Sequence, residues 1–257
     1  MSHLTNRSTT AADRARATRD VIVTQGGAFM VSPQLAAQEQ RLGLPERSLY
    51  FRGRSAVLGD PPAQVVGALF GIFPPWLIGL MLDQAAPLVS AERVIDAYTR
   101  GCAAWGRDVL PGDETAAETA DLLYRVADSA DLSALPLAAG WRAQPRPHAG
   151  AERLAHSLML AREIRGGLHF AALRACDLTI PEAAVADPNG GRDRLLRTGW
   201  APDDADGLIA RAGLRGDLHD RWRRAERLTD DAFGTMLSAL GDAELNRLAT
   251  LLDRHTA

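Results

Sequence analysis

Apolar residues recur every three or four positions along most of the chain, which is the spacing of one buried helix face. The longest such pattern lies in and just before residues 156–177. Its apolar positions are Leu154, Leu158, Ala161, Leu168 and Ala172. No segment alternates apolar and polar residues over a full strand, although residues 214–228 are a candidate for one short β-hairpin. The pattern therefore predicts a mainly α-helical protein.

Residues that start and stop helices divide the chain into short helical segments. Ser32-Pro33 is typical of a helix start, and Pro74-Pro75 separates two short buried helices within residues 63–82. Residues 45–59 are predicted to form a connector, and residues 143–150, rich in proline and glycine, a linker. The other predicted helical segments are residues 11–24, 33–42, 91–110, 113–129, 132–141, 156–177, 180–186, 192–197, 203–212 and 229–255, the last with a break at Gly241-Asp242.

Two arginines and a histidine interrupt the apolar pattern of residues 156–177. Arg162, Arg165 and His169 follow the same helical spacing as the apolar positions around them. An unpaired ion on a buried helix face costs several kcal/mol, so we expect each cation to have an acid of this chain or an anionic ligand as its partner. Gly166-Gly167 beside them permits a kink or the close approach of another group.

These three side chains have the chemistry of an acid–base site. His169 can accept or release a proton near neutral pH and is the candidate catalytic residue. Arg162 and Arg165 lie one turn apart and can hold a carboxylate between them. The alternative is structural, with the arginines paired to Asp or Glu of an adjacent helix and His169 bonded within the core.

A second group of candidate binding residues lies near the predicted connector. Arg54 would hold the same anionic substrate as Arg165, and Tyr50, Phe51 and Trp76 would form the walls of the pocket. The alternative is that residues 50–54 belong to a solvated loop.

Composition narrows the functional classes. The 257-residue chain has no lysine, so its 29 basic residues are arginines, and its formal net charge is −3. This balance argues against a protein that binds nucleic acid with its whole surface. Two cysteines, Cys102 and Cys176, without a Cys-x-x-Cys pair indicate a reducing, cytoplasmic setting.

The sequence lacks the signature motifs of several large enzyme classes. It contains no Gly-x-x-x-x-Gly-Lys, no Gly-x-Gly-x-x-Gly and no Gly-x-Ser-x-Gly. Metal-ligand spacing is not found among His148, His156, His169, His219 and His255. We therefore expect neither a metal nor a cofactor. The uncharged residues 63–82 have the length of a membrane span, but the paired prolines favour two buried helices, so no membrane partner is expected.

Residues 221–227 carry the main argument for DNA binding. Arg221, Arg223 and Arg224 could contact phosphates, as the wing of a winged helix does. Several aspartates lie close to them in the sequence, so a solvated face of mixed charge is the alternative.

Three segments of the chain resemble a family of actinobacterial proteins with a MarR-like helix-turn-helix. They are residues 50–59 (YFRGRSAVLG), residues 162–173 (REIRGGLHFAAL), and Gly199-Trp200 followed later by Leu228-Thr229. Gly167 and Leu168 depart from the family pattern, which tends to have an acid and a glycine at these positions.

The resemblance implies a helical protein with winged-helix-like subdomains, two of them in one chain imitating a MarR dimer. An N-terminal lobe would comprise residues 11–142 and a C-terminal lobe residues 147–257. Residues 169–177 and 180–186 would form the helix-turn-helix, and residues 214–228 the wing. MarR-like scaffolds bind aromatic acids and phenols in a cleft beside the helix-turn-helix, which would suit the arginines and the histidine.

Three functional hypotheses remain open. The first is a small-molecule-binding protein that acts as a cofactor-free isomerase, lyase, cyclase or hydrolase on an anionic apolar or aromatic metabolite, as a monomer or homodimer. The second is a ligand-responsive MarR-type transcriptional regulator that binds DNA. The third is a protein–protein interaction module in which Arg162, Arg165 and His169 all pair with acids.

Overall fold

The computed structural model describes residues 10–148 and 150–254, and every regular element within them is helical. The predicted mainly α class is therefore confirmed. These residues form fourteen α-helices and two 3₁₀ turns. The helices are α1 (Ala11–Ala28), α2 (Pro33–Arg41), α3 (Ser48–Ser55), α4 (Ala63–Phe70), α5 (Pro75–Ala85), α6 (Ala91–Val109), α7 (Glu114–Ser129), α8 (Pro136–Arg142), α9 (Gly150–Ala175), α10 (Ile180–Ala186), α11 (Gly191–Arg197), α12 (Pro202–Gly213), α13 (Leu218–Leu237) and α14 (Asp242–Arg254), and the 3₁₀ turns are Phe29–Val31 and Ala56–Leu58.

Local capping chemistry accounts for several helix starts. The Thr10 hydroxyl accepts a bond from the amide of Asp13, and the Thr179 hydroxyl one from the amide of Glu182. In both cases the acid bonds back to the amide of the threonine, which completes a capping box. Ser32 caps α2 through its hydroxyl alone, which accepts a bond from the amide of Leu35, and a proline follows in the first turn. These signals are local, so the sequence alone predicts them.

Two segments predicted to be irregular or extended are helical in the structure. The predicted connector, residues 45–59, contains α3 and the second 3₁₀ turn. The predicted hairpin, residues 214–228, is mostly the first half of α13. Both predictions were wrong. Residues 48–55 are too short to show a clear helical period, and burial of Leu49 and Phe51 against other helices stabilises them. In residues 214–228, Leu214, Leu218, Trp222 and Ala225 recur every four or three positions, so the segment has the period of a helix rather than of a hairpin.

The proline pair separates two helices, as predicted. Pro74 lies just before α5, and the chain between α4 and α5 turns at Gly71, which has a positive φ of 58°. Leu77 and Ile78 of α5 are buried, whereas Trp76 is 58% exposed. Among the described residues, no helix combines the length and the apolar character that crossing a membrane requires.

Helix α9 is central, because it packs against α1, α6, α7, α8 and α13. Glycines let two of these neighbours approach its backbone. A Cβ on Gly26 of α1 would lie 2.5 Å from the carbonyl oxygen of Leu158, and one on Gly106 of α6 would lie 2.7 Å from that of Ala151. These glycines therefore allow α1 and α6 to pack directly on α9.

The largest buried apolar cluster combines residues from both ends of the chain. It includes side chains of α1 through α3, α6 through α9, α13 and α14. Among its largest fully buried members are Trp141, Tyr98, Phe29 and Phe233. The division into lobes of residues 11–142 and 147–257 stays a prediction.

Helices α10, α11 and α12 form a small unit beyond the end of α9, referred to below as the α10–α12 unit. One buried residue from each helix forms its centre: Ala184, Leu195 and Ala205. The indole Nε1–H of Trp200 donates to the carbonyl oxygen of Ile72 at 2.7 Å. A Cβ on Gly71 would overlap Ile180, so the turn after α4 and the first residue of α10 are in close contact there. The unit therefore packs against the turn between α4 and α5.

Candidate functional site

Arg162, Arg165 and His169 lie along α9, and most of their surface is buried. Their side chains keep 25%, 6% and 21% of their surface exposed, respectively. Burial of this extent requires partners for the charges, and the structure supplies acids of this chain close to all three.

Glu163 forms a buried ion pair that joins α9 to α3. Nε and Nη2 of Arg54 each donate to one oxygen of the Glu163 carboxylate at 2.8 Å, in a bidentate pair. Nη1 of Arg162 donates to the same carboxylate at 3.2 Å. Burial opposes both charges, but the attraction between them prevails, lowering the pKa of Glu163 and raising the pKa of Arg54. One carboxylate therefore serves two arginines.

Aromatic rings surround the Arg54 side of this pair. The rings of Tyr50 and Phe51 both pack against Phe70, with centroid distances of 5.9 and 6.1 Å. The guanidinium carbon of Arg54 lies 4.4 Å from the centre of the Phe70 ring. The structure thus brings Tyr50 and Phe51 next to Arg54, as predicted for a common group. Trp76 is not part of it and lies at the surface of α5.

Arg165 faces α13, where its guanidinium group forms ion pairs with two acids. Its Nη2 lies 3.3 Å from Oδ1 of Asp230 and 3.6 Å from Oε2 of Glu226. Helix α1 contributes Arg16 and Arg19, which form ion pairs with the same two acids. Three arginines and two acids therefore meet where α1, α9 and α13 pack together.

His169 lies at the edge of this cluster. Its Nδ1 is 3.1 Å from Oγ1 of Thr229 and 3.6 Å from Oε1 of Glu226. The Thr229 hydroxyl donates to the carbonyl oxygen of Ala225 at 2.8 Å, so its oxygen can accept a hydrogen bond from Nδ1–H of His169. Both neighbours therefore favour the proton on Nδ1. Nε2 keeps its lone pair and forms no hydrogen bond with the described residues.

Burial shifts the two titratable groups of this cluster in opposite directions. It lowers the pKa of His169 to about 4, together with a smaller contribution from the charge of Arg165. It also raises the pKa of Glu226, an effect that Arg165 and Arg19 oppose. His169 is therefore neutral at pH 7. A neutral imidazole with a free Nε2, beside a carboxyl group of raised pKa, has the elements of acid–base catalysis.

Arg16 and Arg19 of α1 are not among the residues predicted for the site, and neither are Glu226, Thr229 and Asp230 of α13. The spacing of three and four among the last three places them on one helix face, which the sequence does indicate. However, Thr229 lies 60 positions from His169 in the chain. Packing of α13 on α9 brings them together, and no local pattern reports that packing.

The arginines predicted to contact DNA lie on α13 among acids. Arg221 pairs with Asp177 and Asp217. Arg223 pairs with an aspartate one turn earlier in the same helix. Arg224 is exposed and has no ion-pair partner among the described residues. The chain from residue 177 to residue 220, which contains the α10–α12 unit, carries nine acids and five arginines. With residues 221–227 included, the segment carries ten acids and nine arginines, so its charge is mixed.

Two surface grooves lie elsewhere on the molecule. One runs between α2 and α6, and the other lies at the C-terminal end of α9 beside α13. Neither is lined by Arg162, Arg165 or His169. Within residues 10–148 and 150–254, no His, Cys, Asp and Glu side chains come together in a group of three that could hold a metal ion. His255 falls outside the described residues.

Comparison with known proteins relates the whole arrangement to one family. Residues 15–257 match the model of a helix-turn-helix family. No curated protein and no solved structure matches the chain. The matched region includes α9, the α10–α12 unit, α13 and the part of α1 from residue 15 onward. The chain belongs to this helix-turn-helix family.

Proposed function

We propose that this helix-turn-helix protein binds an anionic small molecule and acts on it by cofactor-free acid–base chemistry at His169. The observation that carries the proposal is the state of the His169 ring. In His169, Nδ1 is bonded, whereas Nε2 is free and the side chain keeps about a fifth of its surface exposed, so the free nitrogen can meet a ligand. Nε2 of His156 is also unbonded, but that side chain is buried and no ligand can reach it.

Each group of the cluster has a role in this proposal. Nε2 of His169 accepts a proton from the substrate, and the nearby Glu226 stabilises the imidazolium ion that forms. Arg165 is a positioning residue, because its ion pairs hold Glu226 and Asp230. The reaction belongs to a class that needs proton transfer alone: isomerisation, elimination, cyclisation or hydrolysis.

Arg162 is the cation best placed to bind the anion of the substrate. Arg54 and Arg165 are both largely committed to buried acids of the chain. Arg162 shares Glu163 with Arg54, and it is the more exposed of the two. Arg162 and His169 are seven residues apart, which is roughly 10.5 Å along a helix. The proposed substrate therefore carries its acid group about this far from the proton that is removed.

Two further features belong to the proposal. The two lobes, residues 11–142 and 147–257, imitate a MarR dimer within one chain. The setting is cytoplasmic, which is supported by two free and buried cysteines, Cys102 and Cys176.

The variant His169→Asn tests the catalytic role. The amide N–H of asparagine can replace Nδ1–H as the donor to Thr229, but asparagine cannot accept the substrate proton. Wild-type protein and the variant are incubated with a metabolite extract of the source cells, and the metabolites are followed by mass spectrometry. We expect metabolites that are consumed by the wild type and not by the variant. The matched control His148→Asn, at an exposed position, should behave as the wild type does.

A chemical probe tests the state of the ring without a substrate. Diethyl pyrocarbonate acylates an unprotonated imidazole nitrogen. Because the pKa of His169 is lowered to about 4, its acylation rate should be nearly constant between pH 7 and pH 5.5. A histidine with the ordinary pKa of about 6.5 loses most of its reactivity over that range. Buried His156 serves as the unreactive control. The assigned role is wrong if His169 is not acylated. It is also wrong if the wild type and the variant His169→Asn consume the same metabolites.

Membership of a helix-turn-helix family supports a second candidate function, a ligand-responsive regulator that binds DNA. Exposed Arg224 and Arg227 on α13 would contact phosphates. Under this alternative, the chain binds its own promoter with an affinity that falls steeply with salt. Replacing Arg224 and Arg227 with alanine should then weaken binding and reduce the salt slope by about one per lost phosphate contact. Fluorescence anisotropy measures both, and a flat titration at low salt would exclude this function.

A further inference from the structure

A groove of about 600 Å³ separates α2 from α6. Its floor consists of small side chains, among them Ala37, Ala103 and Ala104. The two helices are in close contact beside it, since a Cβ on Gly101 would lie 2.7 Å from a methyl carbon of Leu35. Residues 145–147 and Glu152 of α9 also line the groove. Its volume is that of a site for a small molecule rather than for a folded partner.

The groove is lined by arginines. They are Arg41, Arg100, Arg107 and Arg146, and Glu152 is the acid in the lining. Arg41 forms no ion pair with any residue that the structure describes. Three of the four are ion-paired within the chain, Arg100 with Asp96, Arg107 with Glu152 and Arg146 with Asp128. Guanidinium groups beside alanine methyls are complementary to an anion with an apolar body that competes with these exposed pairs.

Several guanidinium N–H groups remain available. Arg100 donates through Nη1 to Asp96 and through Nε to Gln38, at 3.4 Å for the latter. Arg107 donates through Nη1 to Glu152. Nη2 of both arginines has no bond to the described residues. Both side chains are about half exposed, so they can turn toward a ligand without breaking a buried contact.

We propose that this groove is a binding site for a small organic dianion with an acid group at each end. Arg100 and Arg107 are seven residues apart on α6, which is roughly 10.5 Å along the helix. They would bind one acid group each, with the apolar body of the ligand against the alanine floor and Arg41 as an additional cation. None of these residues belongs to the His169 cluster, so the site does not depend on the proposed acid–base chemistry.

Isothermal titration calorimetry of the full chain with biphenyl-4,4′-dicarboxylate tests this site. The probe is a rigid dianion with an apolar body, and biphenyl-4-carboxylate is the matched monoanion. We expect saturable binding of one dianion per chain and binding of the monoanion about tenfold weaker, since one charge-assisted bond is lost. Replacing both Arg100 and Arg107 with glutamine should weaken binding of the dianion by about 100-fold.

Two further variants separate the groove from the general charge of α6. Arg93→Gln removes an exposed arginine of the same helix that does not line the groove, and it should leave affinity unchanged. Ala104→Leu fills the floor without changing any charge, and it should weaken binding. Thermal unfolding confirms that each variant is folded. The proposal is overturned if the wild type does not bind the dianion, or if Arg93→Gln weakens binding as much as the double variant does.

Discussion

Replacing Glu163 with alanine is expected to lower the free energy of unfolding by about 3–5 kcal/mol, because it leaves a buried guanidinium without its counterion. Arg54 is buried and donates two bonds to the Glu163 carboxylate. Its remaining contacts are a 3.4 Å bond to the Tyr50 hydroxyl and the face of the Phe70 ring. Neither contact carries a negative charge that could replace the lost carboxylate.

Urea unfolding followed by circular dichroism measures this loss. The matched control is Glu118→Ala, which removes the acid of an ion pair with Arg247 in which both side chains are about 40% exposed. That change should cost far less than Glu163→Ala, because solvent screens exposed pairs. Replacing the pair by Arg54→Met together with Glu163→Leu should restore most of the stability, since the buried guanidinium is removed with its carboxylate and only Arg162, a quarter exposed, loses a partner. A Glu163→Ala variant as stable as the control would show that the pair is not a structural requirement.

Acidification from pH 7 to pH 5 is expected to destabilise the fold through two histidines. Burial lowers the pKa of His156 to about 4, with a smaller contribution from Arg146, and it lowers the pKa of His169 to the same value. In the unfolded chain both have the ordinary pKa of about 6.5. Between these pKa values the unfolded chain binds more protons than the folded one, so stability falls as the pH falls.

The expected loss at pH 5 is about 2 kcal/mol for each histidine, obtained from the two pKa values. This stability is fully present above pH 6.5 and is lost as the pH approaches 4. The raised pKa of Glu226 acts in the opposite direction and offsets part of the loss.

The variant His156→Leu isolates one contribution. Unfolding free energies of the wild type and the variant are measured in urea at pH 7 and pH 5, and the variant should lose about 2 kcal/mol less between them. Tyr124→Phe is the control, because it removes the hydroxyl that bonds to Nδ1 of His156 at 2.9 Å but keeps the buried imidazole. It should retain the full dependence on pH. If the variant His156→Leu keeps the wild-type dependence as well, then His156 does not titrate as described.

The sequence alone determined the helical class and many helix boundaries of this protein. Helix caps such as Thr10 and Thr179 act over three residues, and the proline pair at 74–75 acts on its immediate neighbours. The polar stripe of α9 is likewise visible as a spacing within one segment. Such signals do not depend on which helices pack together, so they can be recognised in the sequence alone.

Tertiary structure decided which partners the polar residues have. Arg54 and Glu163 are 109 positions apart, and Arg165 and Asp230 are 65 apart. Whether a buried arginine awaits a ligand or is neutralised by an acid depends on these distant pairings, and the spacing along one helix is the same in both cases. The helix of residues 48–55 was missed for the same reason: packing against other helices, rather than its own weak periodicity, stabilises it. The helix of residues 218–228 does have a helical period in the sequence, at Leu218, Trp222 and Ala225, so its prediction did not require the tertiary structure.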